Sequence, residues 1–257
     1  MPFHIFDYTF GKFFRLVQRT LIVSTPAGEK RISLDKSPTL WELLCLDSTR
    51  EALEFVKSNM QEAIYFQSRE DLFTWINSQF GKQFYGNKSS LILEFGVYTG
   101  KSINMIAEIF PKSRVVGFDS FYGLPESWNG FKYQGGFAGL FSTSGQIPIV
   151  NSNVDLQVGL FQESLPEFLT NFNSDTFRIC LVHFDADLYS STIFVLTKLE
   201  EFLEEDVIMV FDEFFNYPGW KNHEFRAFYE FLAVNKYDVQ YLGFTESSVC
   251  VRVKRKA

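Results

Sequence analysis

From Ser89 onward, short apolar runs alternate with stretches of helical period, and this alternation narrows the fold more than any other feature of the chain. "LILEF" is followed by Ile103, Ile106, Ala107 and Phe110 at i, i+3, i+4 and i+7, then by "RVVGFD". The unit recurs through "VDLQVGLF" with "SLPEFLTNF", through "FRICLVHFD" with Leu196, Leu199 and Leu203, and through "DVIMVFD" with Phe225, Phe228, Tyr229 and Leu232. Strands joined by helices pair in parallel, so five parallel strands are expected. The last two runs, "DVQYLGF" and "SVCVRV", are joined by a turn too short for a crossover and should close the sheet as an antiparallel hairpin. The expected class is therefore α/β, a doubly wound sheet of seven strands with the last antiparallel and with helices on both faces.

Residues 1–88 read differently, as an N-terminal extension that is mainly helical. "TLIVS" and "KRISL" flank "TPAGE" as a hairpin, and "SPTLWELL" onward reads as helices. Residues 89–257 form the main domain. Within it "NGFKYQGGFAGLFSTSG" is too glycine-rich for a helix and too long for an ordinary connection, which marks a lid at about 129–147. The opening stretch is broken by Asp7, Lys12, Arg15 and Arg19, so it lacks the apolar run of a signal peptide or membrane span. Cys45, Cys180 and Cys250 show no CxxC spacing and read as buried thiols of a reducing compartment, giving a cytoplasmic expectation. A net charge of -7 argues against nucleic acid and anionic membranes as partners.

"EFGVYTG" follows the first strand of the domain, where open parallel sheets bind their ligands. Gly96 and Gly100 permit positive φ and close approach of a ligand to the backbone, and Ser102 lies at the following helix start. Asp119, with Ser120 beside it, ends the second strand, where a carboxylate can accept hydrogen bonds from both hydroxyls of a ribose. A nucleoside is indicated. The glycines are spaced G-x-x-x-G rather than G-x-G-x-x-G, and Glu94 in front would repel a pyrophosphate but suit a cationic sulfonium and amino group. S-adenosyl-L-methionine carries both.

"LEFGVYTGKS", "GFDSFYGLPESW", "VGLFQESLPEFL", "HFDADLYSST" and "VFDEF" together resemble the class I S-adenosylmethionine-dependent methyltransferases, and within them the macrocin-type O-methyltransferases. The resemblance covers about residues 89–253. It implies a Rossmann-like fold, Glu94, Gly96 and Gly100 at the methionine end, Asp119 on the ribose, Glu163 and Ser164 by the adenine, and a homodimer.

Asp185 and Asp187 end the fourth strand, and Asp212 and Glu213 the fifth, so four carboxylates meet at neighbouring strand ends. Such a cluster calls for protons or a hard cation such as Mg²⁺. The resemblance implies Asp185, Asp212 and Glu213 as the metal ligands, with Asp185 also placed at the cofactor and serving as catalytic base. Many relatives have Asp-Asp where this chain has Asp212-Glu213. Asp187, before "LYSST", fits a helix-capping role best. His223 is a second candidate base or substrate contact, whereas His183 reads as a core histidine pointing away from Asp185. The expected activity is Mg²⁺-assisted methylation, from S-adenosyl-L-methionine, of a hydroxyl on a small specialised metabolite or sugar. A carboxyl or nitrogen acceptor, a nicotinamide-dependent oxidoreductase and a non-catalytic nucleoside-binding scaffold are the competing readings.

Overall fold

The computed structural model describes residues 38–85, 88–128, 136–204 and 206–256, together with the backbone of four strands between residues 4 and 33. The chain divides into two compact units, Met1–Leu46 and Asp47–Ala257. In the first, β1 (His4–Asp7), β2 (Lys12–Val17), β3 (Thr20–Thr25) and β4 (Gly28–Ser33) form an antiparallel sheet in chain order. Its last hairpin pairs Thr20 with Ser33 and Thr25 with Gly28. The two strands before it were not expected. Helix α1 (Leu40–Asn59) begins with a reciprocal cap: Thr39 Oγ1 accepts from the Glu42 N–H at 3.2 Å, and Glu42 Oε2 accepts from the Thr39 N–H at 2.8 Å.

The second unit holds an eight-stranded sheet ordered β5-β11-β12-β10-β9-β6-β7-β8. These strands are β5 (Ile64–Tyr65), β6 (Ser89–Phe95), β7 (Arg114–Asp119), β8 (Val154–Val158), β9 (Phe177–Phe184), β10 (Asp206–Phe211), β11 (Tyr237–Phe244) and β12 (Val249–Arg255). The five expected parallel strands are β6 to β10. The closing hairpin inserts β12 antiparallel between β10 and β11. The eighth strand is the two-residue β5, parallel to the edge of β11 and too short to carry a periodic signal. Helices α2 (Arg69–Phe84) and α3 (Lys101–Ile109) cover one face, packing Leu72, Phe73, Ile76, Ile103 and Ile106 against Ile92, Leu181 and Val210. Helices α4 (Phe161–Thr170), α5 (Tyr189–Leu199) and α6 (Glu224–Val234) cover the other. The expected boundary at 88/89 lies too late: α2 belongs to the sheet unit, because Leu72, Phe73 and Ile76 are wholly buried in its core.

The four central strands end in register on a row of phenylalanines. Phe95 stacks on Phe118 at 4.7 Å between centroids and on Phe184 at 6.0 Å, and Phe184 stacks on Phe211 at 4.6 Å. Each such pair adds about 0.5–1.5 kcal/mol beyond its area. Side chains alternate along a strand, so fixing these rings on one face turns the next residue of each strand to the other. Those next residues are Gly96, Asp119, Asp185 and Asp212, aligned along the carboxyl edge of the sheet.

None of the described helices is long and apolar enough to cross a membrane. Cys180 and Cys250 are buried as expected, whereas Cys45 is only half-buried.

Candidate active site

Above that edge lies a cavity of about 370 Å³, within the roughly 300–1,000 Å³ span of small-molecule pockets. Of the residues singled out in the sequence, Gly96, Ser102, Asp119, Ser120, Asp185, Asp212 and Glu213 line it. Gly96 adopts φ +99°, and its N–H donates to Phe118 O at 3.0 Å while the Asp185 N–H donates to Phe95 O at 2.9 Å. The turn is thus tied to both neighbouring strands. Gly100 starts α3 with φ +79° and shapes the turn without reaching the cavity wall.

Asp119 is engaged more heavily than ribose binding requires. Its Oδ2 accepts from the N–H groups of Val97 and Tyr98 at 2.8 and 2.7 Å, and its Oδ1 accepts from that of Phe121 at 2.7 Å. A carboxylate has about four acceptor positions, so one is left for a ligand hydroxyl rather than two. Glu163 and Ser164 fall one turn inside α4, with Ser164 Oγ donating to Leu160 O at 3.1 Å. The wall at that end is instead Gly159, Leu160, Phe161 and Gln162.

Glu94 also lies off the wall. It is completely buried and bonded through Oε1 to Nδ1 of the equally buried His183 at 2.9 Å, its register partner on β9. Burial opposes protonation of His183, but the Glu94 hydrogen bond and the charges of Glu94, Asp185 and Asp212 outweigh it and raise the imidazole pKa. His183 does not point away from Asp185. Residues two apart share a strand face, and ligand atoms of Glu94, His183 and Asp185 lie within 4.8 Å of one another.

The carboxylates crowd as expected. Asp185 is pushed up to about 7, by burial first and then by Asp212, with His183 and Arg69 acting the other way. Asp187, held at φ +60°, and Glu213 are raised well above the carboxylate range, burial again leading and their acidic neighbours adding to it. The sequence reading missed Glu224, a fully buried member whose Oε1 and Oε2 accept from the N–H groups of Ala186 at 3.3 Å and Glu213 at 3.2 Å. His223 sits off the cavity wall, packed against the rings of Trp128 and Tyr217 at the start of α6. Of the expected lid, residues 129–135 lie outside the described residues; in 136–147, Phe141 lines the cavity and Leu140 bonds Leu124.

Arg69, the first residue of α2, reaches into the cluster. Its Nη1 donates to Asp212 Oδ2 at 2.5 Å and to Asp185 Oδ2 at 3.2 Å, while Asp212 Oδ1 accepts from Ser248 Oγ at 2.8 Å. Both oxygens of Asp212 are therefore engaged, and the guanidinium lies between Asp185 and Asp212, two members of the expected metal set of Asp185, Asp212 and Glu213. The acidic oxygens that do converge, within 4.8 Å, come from Asp185, Asp187 and Glu213. Nothing in "SRED" marks Arg69 as a site residue, because a basic residue at a helix start usually faces solvent.

Residues 93–214 match a family model described as a methyltransferase domain. No curated protein matches the chain. Among solved structures, the calicheamicin methyltransferase CalS11 is similar at 23% identity and a TM-score of 0.55, covering 84% of this chain and 94% of its own. The O-methyltransferase NovP is similar at 18% identity and a TM-score of 0.53, covering 74% of this chain and 80% of its own. At these identities the likeness concerns the fold.

Proposed function

We propose that this chain is an S-adenosylmethionine-dependent methyltransferase that methylates a hydroxyl of a small molecule, with Asp185 taking the hydroxyl proton. The observation that carries this reading is a carboxylate on the cavity wall whose pKa, near 7, lies where a general base works best. S-adenosylmethionine supplies an electrophilic methyl group on a sulfonium. The donor set suits it: one acceptor position remains on Asp119 for a ribose hydroxyl, Leu160 and Phe161 give an apolar wall for a base, and Asp185 faces the cationic end. A neutral hydroxyl is a weak nucleophile until its proton leaves, which gives Asp185 a task that an ionised carboxylate acceptor would not need. NovP, named as an O-methyltransferase, is consistent with that acceptor class. A sugar or other specialised metabolite with vicinal oxygens suits a cavity lined by carboxylates, and no step here runs through a metal ion.

Calorimetric titration of S-adenosylmethionine into the purified chain, followed by an acceptor screen, tests this. Asp119→Ala leaves three turn N–H groups without their acceptor and removes the bond proposed for a ribose hydroxyl, so affinity should fall at least about fivefold, at roughly 1 kcal/mol for the lost ligand bond. Absence of binding to the native chain would sink the reading. We further propose a homodimer formed through the extension, supported by the exposed leucines 40, 43 and 46 on α1. Light scattering should return twice the 29.9 kDa chain mass; a monomer would refute it.

A further inference from the structure

We propose that the Arg69 guanidinium occupies the place a divalent cation would take between Asp185 and Asp212, and so keeps such an ion out. A single nitrogen bridges carboxylates from two neighbouring strands, as a bridging cation would. The remaining oxygen of Asp212 accepts from Ser248, so an incoming ion competes with both partners for that carboxylate. The backbone that carries Arg69 is also anchored. Ser68 Oγ caps α2 by accepting from the Asp71 N–H at 3.1 Å, and Leu72, Phe73 and Ile76 bury the helix in the core. Burial works against the guanidinium charge, but Asp212, Asp185 and Glu213 more than offset it. The result is a positive charge, covalently part of the chain, beside the base. A guanidinium suits this place because it carries several donors in a fixed plane and keeps its charge at every physiological pH.

The test is Mn²⁺ binding to chelator-treated full-length protein, followed by paramagnetic resonance. It needs no acceptor, and S-adenosylmethionine titration in the presence of chelator reports separately on the methyltransferase reading. The native chain should bind Mn²⁺ only in the millimolar range. Arg69→Gln, which frees both carboxylates while keeping a polar side chain, should bind about tenfold tighter or better. The double variant Arg69→Gln/Asp212→Asn should lose that gain, which places the ion between the two acids. If circular dichroism shows that Arg69→Gln does not fold, Arg69→Met, which keeps the apolar stem and removes the charge, is measured instead; binding must still strengthen. Micromolar binding to the native chain, or no gain in the variants, overturns the proposal.

Discussion

Gly96→Ala is expected to destabilise the protein by about 4 kcal/mol, combining the cost of a side chain at positive φ with that of overpacking. A Cβ at this position would lie 1.9 Å from the backbone oxygen of Asp185 and 2.8 Å from its carbonyl carbon. Neither atom belongs to a flexible side chain that could turn aside. Relief would require separating the ends of β6 and β9, which the Asp185 N–H bond to Phe95 O and the stacked rings of Phe95 and Phe184 hold together. The displacement would also move Asp185 itself, so cofactor binding should be lost together with stability. Urea denaturation followed by tryptophan fluorescence gives the first quantity and calorimetry the second. A variant within about 0.5 kcal/mol of native stability, the ordinary range for a neutral surface change, would mean that the strand ends are not locked in this way.

The parts of the site carried by strand ends were legible because strand period and strand termini leave local marks. "EFG", "GFD", "HFD" and "VFD" each place a phenylalanine before the residue that faces the cavity, and the sheet aligns all four. The less legible parts depend on distance in the chain. Arg69 lies 116 residues from Asp185 and 143 from Asp212, on a helix whose local pattern says only that it is amphipathic. Glu224 reads as an ordinary acidic first-turn residue of α6, yet it is fully buried beneath Glu213. Glu94 was misplaced for a related reason. A charge beside a glycine turn suggests ligand contact, but the pairing of β6 with β9 sets His183 opposite it and draws the carboxylate into the core. Asp119 lines the cavity, but the turn it pins could not be read from spacing alone.

Asp185→Asn should lower methyl transfer about 10²- to 10⁴-fold, the usual contribution of a positioned general base, while changing cofactor affinity less than tenfold. An amide cannot take the hydroxyl proton, but it nearly preserves the shape of the cavity, and Arg69 keeps Asp212 as a partner. In the native protein the rate should rise with pH to an apparent pKa near 7, because a protonated Asp185 is too weak a base to take a second proton. Stability should run the other way. A carboxyl raised from 3.8 to about 7 contributes stability that is fully present below 3.8 and lost as pH rises through 7. Asp187, Glu213 and Glu224, raised by burial and mutual repulsion, act with the same sign and remain in the variant. The difference between native and variant stability across pH 4 to 7 therefore reports Asp185 together with its repulsion of these neighbours, and the variant should gain on the native chain as pH rises. A native pH–rate profile that is flat below 7, or a stability difference independent of pH, would remove Asp185 as the base. If both limbs appear, the proton that accompanies transfer leaves through a group that the fold holds at a cost in stability, and the same burial that weakens the folded chain sets the base to the working pH.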